Sequence, residues 1–144
     1  MRQRSYCDTS ALVALTTGRH PHRETVLAAL DTDPDLYVAL HGIAEYFATM
    51  TKVRLPYAIT PAEAQTRIED LLTDARLTTV EMTPTSYRRA IELAADVSMP
   101  SGGVYDALHL ACAEEAGCER LLTLNGKNFL RMDHATDVEI VALR

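Results

Sequence analysis

A chain of 144 residues, 47% hydrophobic and 24% charged, supports one globular domain with a substantial apolar core. Its net charge of −6 argues against a broad basic face, though acidic ligands offset locally by a bound cation would leave the same global balance. No apolar run reaches membrane-spanning length, no apolar stretch follows the basic start that would mark a secretory signal, and three cysteines without C-x-x-C spacing predict a reduced cytoplasmic protein with small buried thiols.

The predicted elements alternate along the whole chain, residues 1–144. Ser5–Asp8 reads as a strand, after which Thr9 or Ser10 caps a short helix through Leu15 that Gly18 ends. A helix over His22–Leu30 and an acidic turn, Asp31 to Asp35, lead to a strand at Leu36–Ala39. Ile43–Val53 reads as a helix with Ile43, Phe47 and Met50 at core spacing. Thr60-Pro61-Ala62-Glu63 is a capping box with proline at the first helical position, and its helix runs to about Ala75. Leu77–Met82 is a strand, and Thr83-Pro84 opens a helix through Val97. After a loop at Ser98–Gly103, the apolar helix Val104–Ala116 is closed by Gly117. Arg120–Leu124 is a strand, Asn125–Leu130 a turn with one helical turn, and Val138–Ala142 the last strand. This alternation predicts an α/β sandwich around a mainly parallel sheet of about five strands.

Three acids stand out against this frame. Asp8, Glu45 and Asp106 each lie among apolar neighbours, with no Lys or Arg within three residues. A carboxylate in such company needs a partner or takes up a proton. Asp8 ends the first strand and Asn125 follows the fourth, at the edge where open parallel sheets hold their ligands. Two readings follow. The acids converge on a hard divalent cation, or Asp8 caps a helix, Glu45 faces water and Asp106 is a first-turn acid beside the helix dipole.

The run Tyr6–Leu15 (YCDTSALVAL) resembles the opening strand and helix of a PIN domain. Gly103–Ala113 (GVYDALHLACA) and Leu121–Phe129 (LLTLNGKNF) are similar to the closing motif of that family, and Glu45 in Ile43–Thr51 matches its central acid. The VapC toxins of bacterial toxin–antitoxin pairs are the nearest group. The resemblance implies a three-layer α/β fold and a Mg²⁺- or Mn²⁺-dependent endoribonuclease, homodimeric and neutralised by a VapB antitoxin that inserts a basic side chain among the acids. It also implies RNA as substrate, transfer RNA among the candidates, cut to a 5′-phosphate and a 3′-hydroxyl.

On that resemblance Asp8 and Asp106 are the expected metal ligands. Glu45 would bind metal through water or take the proton from the attacking water. Thr9, Ser10 and Thr123 carry hydroxyls that would hold carboxylates or phosphate oxygens, or serve as caps and strand-end donors instead. Lys52, Arg54 and Lys127 are the expected phosphate contacts. One departure matters: the family often carries aspartates where this chain has Asn125 and Asn128. A neutral amide weakens a metal site, so Asn125 is a neutral ligand or a hydrogen-bonder behind Asp8. The alternative is a PIN-fold binding module, for RNA or a protein, with an impaired active site. His109 reads as a hydrogen-bonded core histidine, and His20-Pro21-His22 as a surface turn.

Overall fold

The computed structural model describes residues 3–30 and 35–144. Five strands, β1 (Ser5–Cys7), β2 (Leu36–Ala39), β3 (Leu77–Val80), β4 (Arg120–Thr123) and β5 (Glu139–Ala142), form one sheet in the order β3-β2-β1-β4-β5. Every neighbouring pair is parallel. Ser5 pairs with Leu36 on one side and Arg120 on the other, so β1 lies at the centre. Its three residues are buried on both faces, as a central parallel strand requires.

Helices cover both faces. On one side lie α1 (Thr9–Thr16), α2 (Arg23–Leu30), α3 (Leu40–Met50) and α4 (Pro61–Thr73); on the other lie α5 (Pro84–Asp96), α6 (Gly103–Glu115) and α7 (Gly126–Arg131). Strand alternation divides the core accordingly. Cys7, Val38 and Leu122 pack with Leu12, Val26, Tyr46 and Met50 beneath the first group. Tyr6, Ala39 and Leu121 pack with Leu93, Leu110 and Phe129 beneath the second. Cys7, Cys112 and Cys118 are free and buried.

Several boundaries differ from the sequence expectation. Asp8, not Thr9 or Ser10, caps α1: its carboxylate accepts from the Ala11 N–H at 3.0 Å. α1 ends at Thr16 on an extended Thr17, without help from Gly18. α3 starts at Leu40, directly off β2, because Ala39 turns the chain with no side-chain cap. It ends at Met50, three residues before Val53. Its buried stripe is Gly42, Tyr46 and Met50, one residue out of step with the expected Phe47, which is 39% exposed. The capping boxes at Thr60–Glu63 and Thr83–Ser86 both form, with prolines in the first turns of α4 and α5. The turn after β4 is the six-residue α7, followed by a 3-10 turn at Asp133–Ala135. The acidic turn expected before β2 falls largely outside the described residues. Gly117 closes α6 with φ of +69°, a left-handed conformation that glycine takes without steric penalty.

Candidate active site

The chain leaves β1 for α1 and, past α2, β2 and β3 extend the sheet to one side, whereas β4 and β5 lie on the other. The crevice between the ends of β1 and β4 is thus the switch point of the sheet. A pocket of about 470 Å³ opens there, lined by Asp8, Thr9, Ser10, Glu45, Asp106, His109 and Asn125 among others.

Asp8 is 4% exposed and held from three sides. Thr123 donates to Oδ2 at 2.6 Å, while Ser10 and the Ala11 N–H donate to Oδ1 at 2.7 and 3.0 Å. Burial raises its pKa, and the Thr123, Ser10 and Ala11 hydrogen bonds oppose that rise without cancelling it. Ser10 also accepts from the Leu124 N–H at 2.9 Å, and Thr123 from the Asn125 N–H at 2.9 Å. These bonds stitch the end of β4 to the start of α1, so Asp8 is fixed by the same contacts that close the sheet.

Glu45 projects from the middle of α3. Its Oε1 accepts from Thr9 Oγ1 at 3.0 Å and lies 2.6 Å from His109 Nε2, with His41 Nε2 at 3.7 Å. Among the described residues nothing hydrogen-bonds Oε2. Burial alone would raise the Glu45 pKa; the His109 hydrogen bond and charge, with Thr9 and His41, outweigh it and bring it below the ordinary glutamate range.

His109 sits on α6 one turn after Asp106, so both face the pocket. It is 3% exposed, and its Nδ1 lies 2.6 Å from the buried Tyr6 hydroxyl. Glu45 as a carboxylate only accepts, so Nε2 carries the proton. In the neutral ring Nδ1 then accepts from Tyr6, whose phenol burial holds firmly protonated. Gly42 makes room for this arrangement: a Cβ there would stand 3.2 Å from His109 Cε1.

Asp106 accepts from Asn128 Nδ2 at 2.8 Å. Burial raises its pKa, and the charges of Asp8 and Glu45 raise it further against the opposing Asn128 bond and His109. Asp106 therefore senses the other two carboxylates across the pocket.

The structure brings together Asp8, Glu45, Asp106, Thr9, Ser10 and Asn125 in the pocket lining, with Thr123 directly behind. Lys52, Arg54 and Lys127 are exposed and do not line it. In their place stand His20, His22 and Tyr57, brought over the site by the α1–α2 and α3–α4 connections, and Thr49 from the last turn of α3. Sequence reasoning missed this and missed Tyr6, since no local signal marks a residue whose partner lies on a distant segment; it also missed His41, which its i,i+4 spacing to Glu45 could have flagged.

The donor set is chemically that of a hard cation, being oxygen-rich, with the ionisation of Asp106 disfavoured by Asp8 and Glu45. Among the described residues, however, no three His, Cys, Asp or Glu side chains stand close enough to hold a metal ion together as direct ligands. The arrangement fits a cation held by one or two carboxylates with water completing its shell, the habit of Mg²⁺.

Residues 5–135 match the PIN domain, and the chain belongs to that family of nucleases. No curated relative matches by sequence. Among solved structures, Mycobacterium tuberculosis VapC20, a toxin that cleaves the sarcin–ricin loop, superposes with a TM-score of 0.69 at 16% identity, over 94% of this chain and 98% of that one. VapBC2 of Rickettsia felis, bound to a fragment of its promoter DNA, gives 0.68 at 16% identity over 99% and 100%. VapBC-1 of Haemophilus influenzae gives 0.64 at 21% identity over 97% and 98%. The shared property is the fold, a five-stranded parallel sheet between helices. Among the described residues no helix is long and apolar enough to cross a membrane.

Proposed function

We propose that this chain is a divalent-metal-dependent endoribonuclease, the toxin of a VapBC-type pair, which hydrolyses RNA phosphodiesters. One observation carries the reading: Asp8, Glu45 and Asp106, from three separate segments, line one pocket at the sheet's switch point, where burial raises the pKa of Asp8 and Asp106 and the charges of Asp8 and Glu45 add to the rise at Asp106. A fold that gathers like charges this way gains most from a cation among them. Bound Mg²⁺ or Mn²⁺ would lower the pKa of a water and steady charge on a phosphoryl oxygen.

The chain's own groups then divide the work. Asp8 and Asp106 would hold the cation. Thr123, Ser10 and the Ala11 N–H keep the Asp8 carboxylate from turning away. Glu45 stays ionised through His109 and Thr9, keeps Oε2 open and takes the proton of the attacking water or steadies a metal-bound water. Asn125, exposed at the pocket edge, is a neutral oxygen donor there. The neighbours that are toxin–antitoxin complexes support a VapB-type antitoxin as partner. The sarcin–ricin-loop-cleaving neighbour supports RNA as substrate. A homodimer in the cytoplasm belongs to the same reading.

A second reading has one observation behind it. Asn125 and Asn128 add no charge, and Asn128 already neutral-pairs Asp106. On this reading the domain binds RNA or protein without cutting.

The test is cleavage of total and transfer RNA by purified protein in Mg²⁺, Mn²⁺ or chelator, beside Asp8→Ala and Asp106→Ala. Metal-dependent cutting lost in both variants is expected. A folded protein that binds no Mn²⁺ and cuts nothing leaves the binding module standing.

A further inference from the structure

We propose that His20, His22 and Tyr57 form a nucleobase-stacking subsite beside the carboxylates, which takes an unpaired base of single-stranded RNA. The identity of the ligand rests on the nuclease reading; the site itself rests on geometry. These rings line the same pocket as the acids, together with apolar Val13 and Leu124. The lining thus combines carboxylate and hydroxyl oxygens with rings and aliphatic carbons.

The rings are contiguous and anchored. His20 lies 5.4 Å from Tyr57 and 5.8 Å from His22 between ring centroids, each pair tilted by 50°. Tyr57 is half-buried against the core that underlies α1 and α3. His20 Nδ1 accepts from the His22 N–H at 3.1 Å, which fixes the ring's orientation and leaves Nδ1 without a proton. Burial and the neighbouring His22 also lower the His20 pKa, so this ring is a neutral aromatic surface near pH 7. Rings held by the backbone and the core lose little freedom when a base settles on them.

Charge points the same way. Lys52, Arg54 and Lys127 stand outside the pocket, so no Lys or Arg among the lining residues draws a phosphate inward against three carboxylates. The base is the remaining handle, since every base offers a π face that a ring can stack on without reading its edge. A base inside a duplex has both faces covered by its stacked neighbours, which restricts the ligand to loops, bulges or single strands.

The experiment follows the histidine and tyrosine ring signals by NMR, in chelator so that nothing is cut. The probes are a hexameric oligoadenylate and an abasic oligomer with the same number of phosphates. The oligoadenylate is expected to shift the His20, His22 and Tyr57 rings upfield, and the abasic oligomer to leave them in place. Tyr57→Leu keeps an apolar side chain over the core but removes the ring, and should weaken oligoadenylate binding roughly 5- to 150-fold, the range for one lost stacking partner. Tyr57→Phe should bind as the wild type does. Equal binding of both oligomers, or base-dependent shifts confined to other rings, overturns the subsite, as does a shift produced only by a protein partner. Base-dependent shifts from a folded protein that cuts no RNA in Mg²⁺ or Mn²⁺ would remove the nuclease reading and keep the subsite; metal-dependent cutting indifferent to Tyr57→Leu would do the reverse.

Discussion

Tyr6 and Glu45 sit on opposite sides of one imidazole: the Tyr6 hydroxyl lies 2.6 Å from His109 Nδ1, and His109 Nε2 lies 2.6 Å from Glu45 Oε1. A pocket carboxylate thus sets the tautomer of a ring whose other nitrogen rests on a core phenol. Replacing His109 by Leu removes the donor that outweighs burial at Glu45. The Glu45 pKa is then expected to cross from below to above its ordinary value, read from its carboxyl ¹³C shift during titration. A Glu45 that stays low in His109→Leu would mean that Thr9 and His41 suffice.

Thr123→Val keeps shape in the β4 strand but takes away the 2.6 Å bond to Asp8 Oδ2 and the acceptor of the Asn125 N–H. Hydrogen bonds to a charged group contribute about 1.5–3 kcal/mol, so denaturant unfolding should show a loss of that order. The Asp8 pKa should rise further, and RNA cleavage should fall more than stability alone explains.

Asp106 and Asp8 give a pH prediction with a definite sign. Their pKa values are raised in the fold, so the folded chain binds protons more readily than the unfolded chain. Their relative contribution to stability is full below the unfolded carboxylate pKa, about 4, and is lost as pH climbs through the raised values. Asp106→Asn removes one of these costs. It should raise Tm at pH 7 in chelator and converge on the wild type toward pH 3. Mn²⁺ should raise the wild-type Tm by mass action and leave the variant nearly unmoved. A variant less stable than the wild type at pH 7 without metal would contradict the mutual repulsion.

Asn128→Asp sets a carboxylate against Asp106 Oδ2, where an amide now donates at 2.8 Å. Without metal the variant should lose about 1–3 kcal/mol, since a partner becomes a like charge. With Mn²⁺ it should bind the cation more tightly than the wild type, as calorimetry would report. Unchanged affinity would place Asn128 outside any metal site.

Gly42→Ala probes the crowding around His109. Alanine favours the α3 helix by about 0.8–1 kcal/mol over glycine. Its Cβ would stand 3.2 Å from a ring that is buried and held at both nitrogens, so the ring has little room to give. Cleavage should drop while Tm changes by less than the usual core substitution. Full activity would show that the ring moves freely.

Much of the fold is legible in the sequence because its signals are local. The capping box at Thr60, the Thr83-Pro84 helix start, Gly117 after α6 and the strand–helix alternation all concern neighbouring residues. Asp8 and Asp106 are legible as charged residues in apolar runs. α3 is where local reading slips. β2 passes into it without a capping side chain, and Gly42, which reads as a helix breaker, is the residue that lets His109 approach. Counting the helical period from Ile43 then puts Phe47 inside in place of Tyr46. The pocket's other wall was out of reach for a different reason. Lys52 and Lys127 are near Glu45 and Asn125 in sequence but outside the pocket, whereas His20 and Tyr57 are distant in sequence and line it.

The sheet order has a consequence for how the chain is made. β4 lies beside β1 at the centre, yet its residues 120–123 belong to the last quarter of the chain. Synthesis runs from the N-terminus at about 5–20 residues per second, so Asp8 emerges several seconds before Thr123 exists to hold it. Asp106 and Asn125 arrive just as late. A growing chain therefore carries its acids as separate, unassembled groups, and the pocket closes only when β4 slots in next to β1. On the proposed ribonuclease reading this timing is protective: the ribosome making the chain has finished nearly all of its work before the site exists.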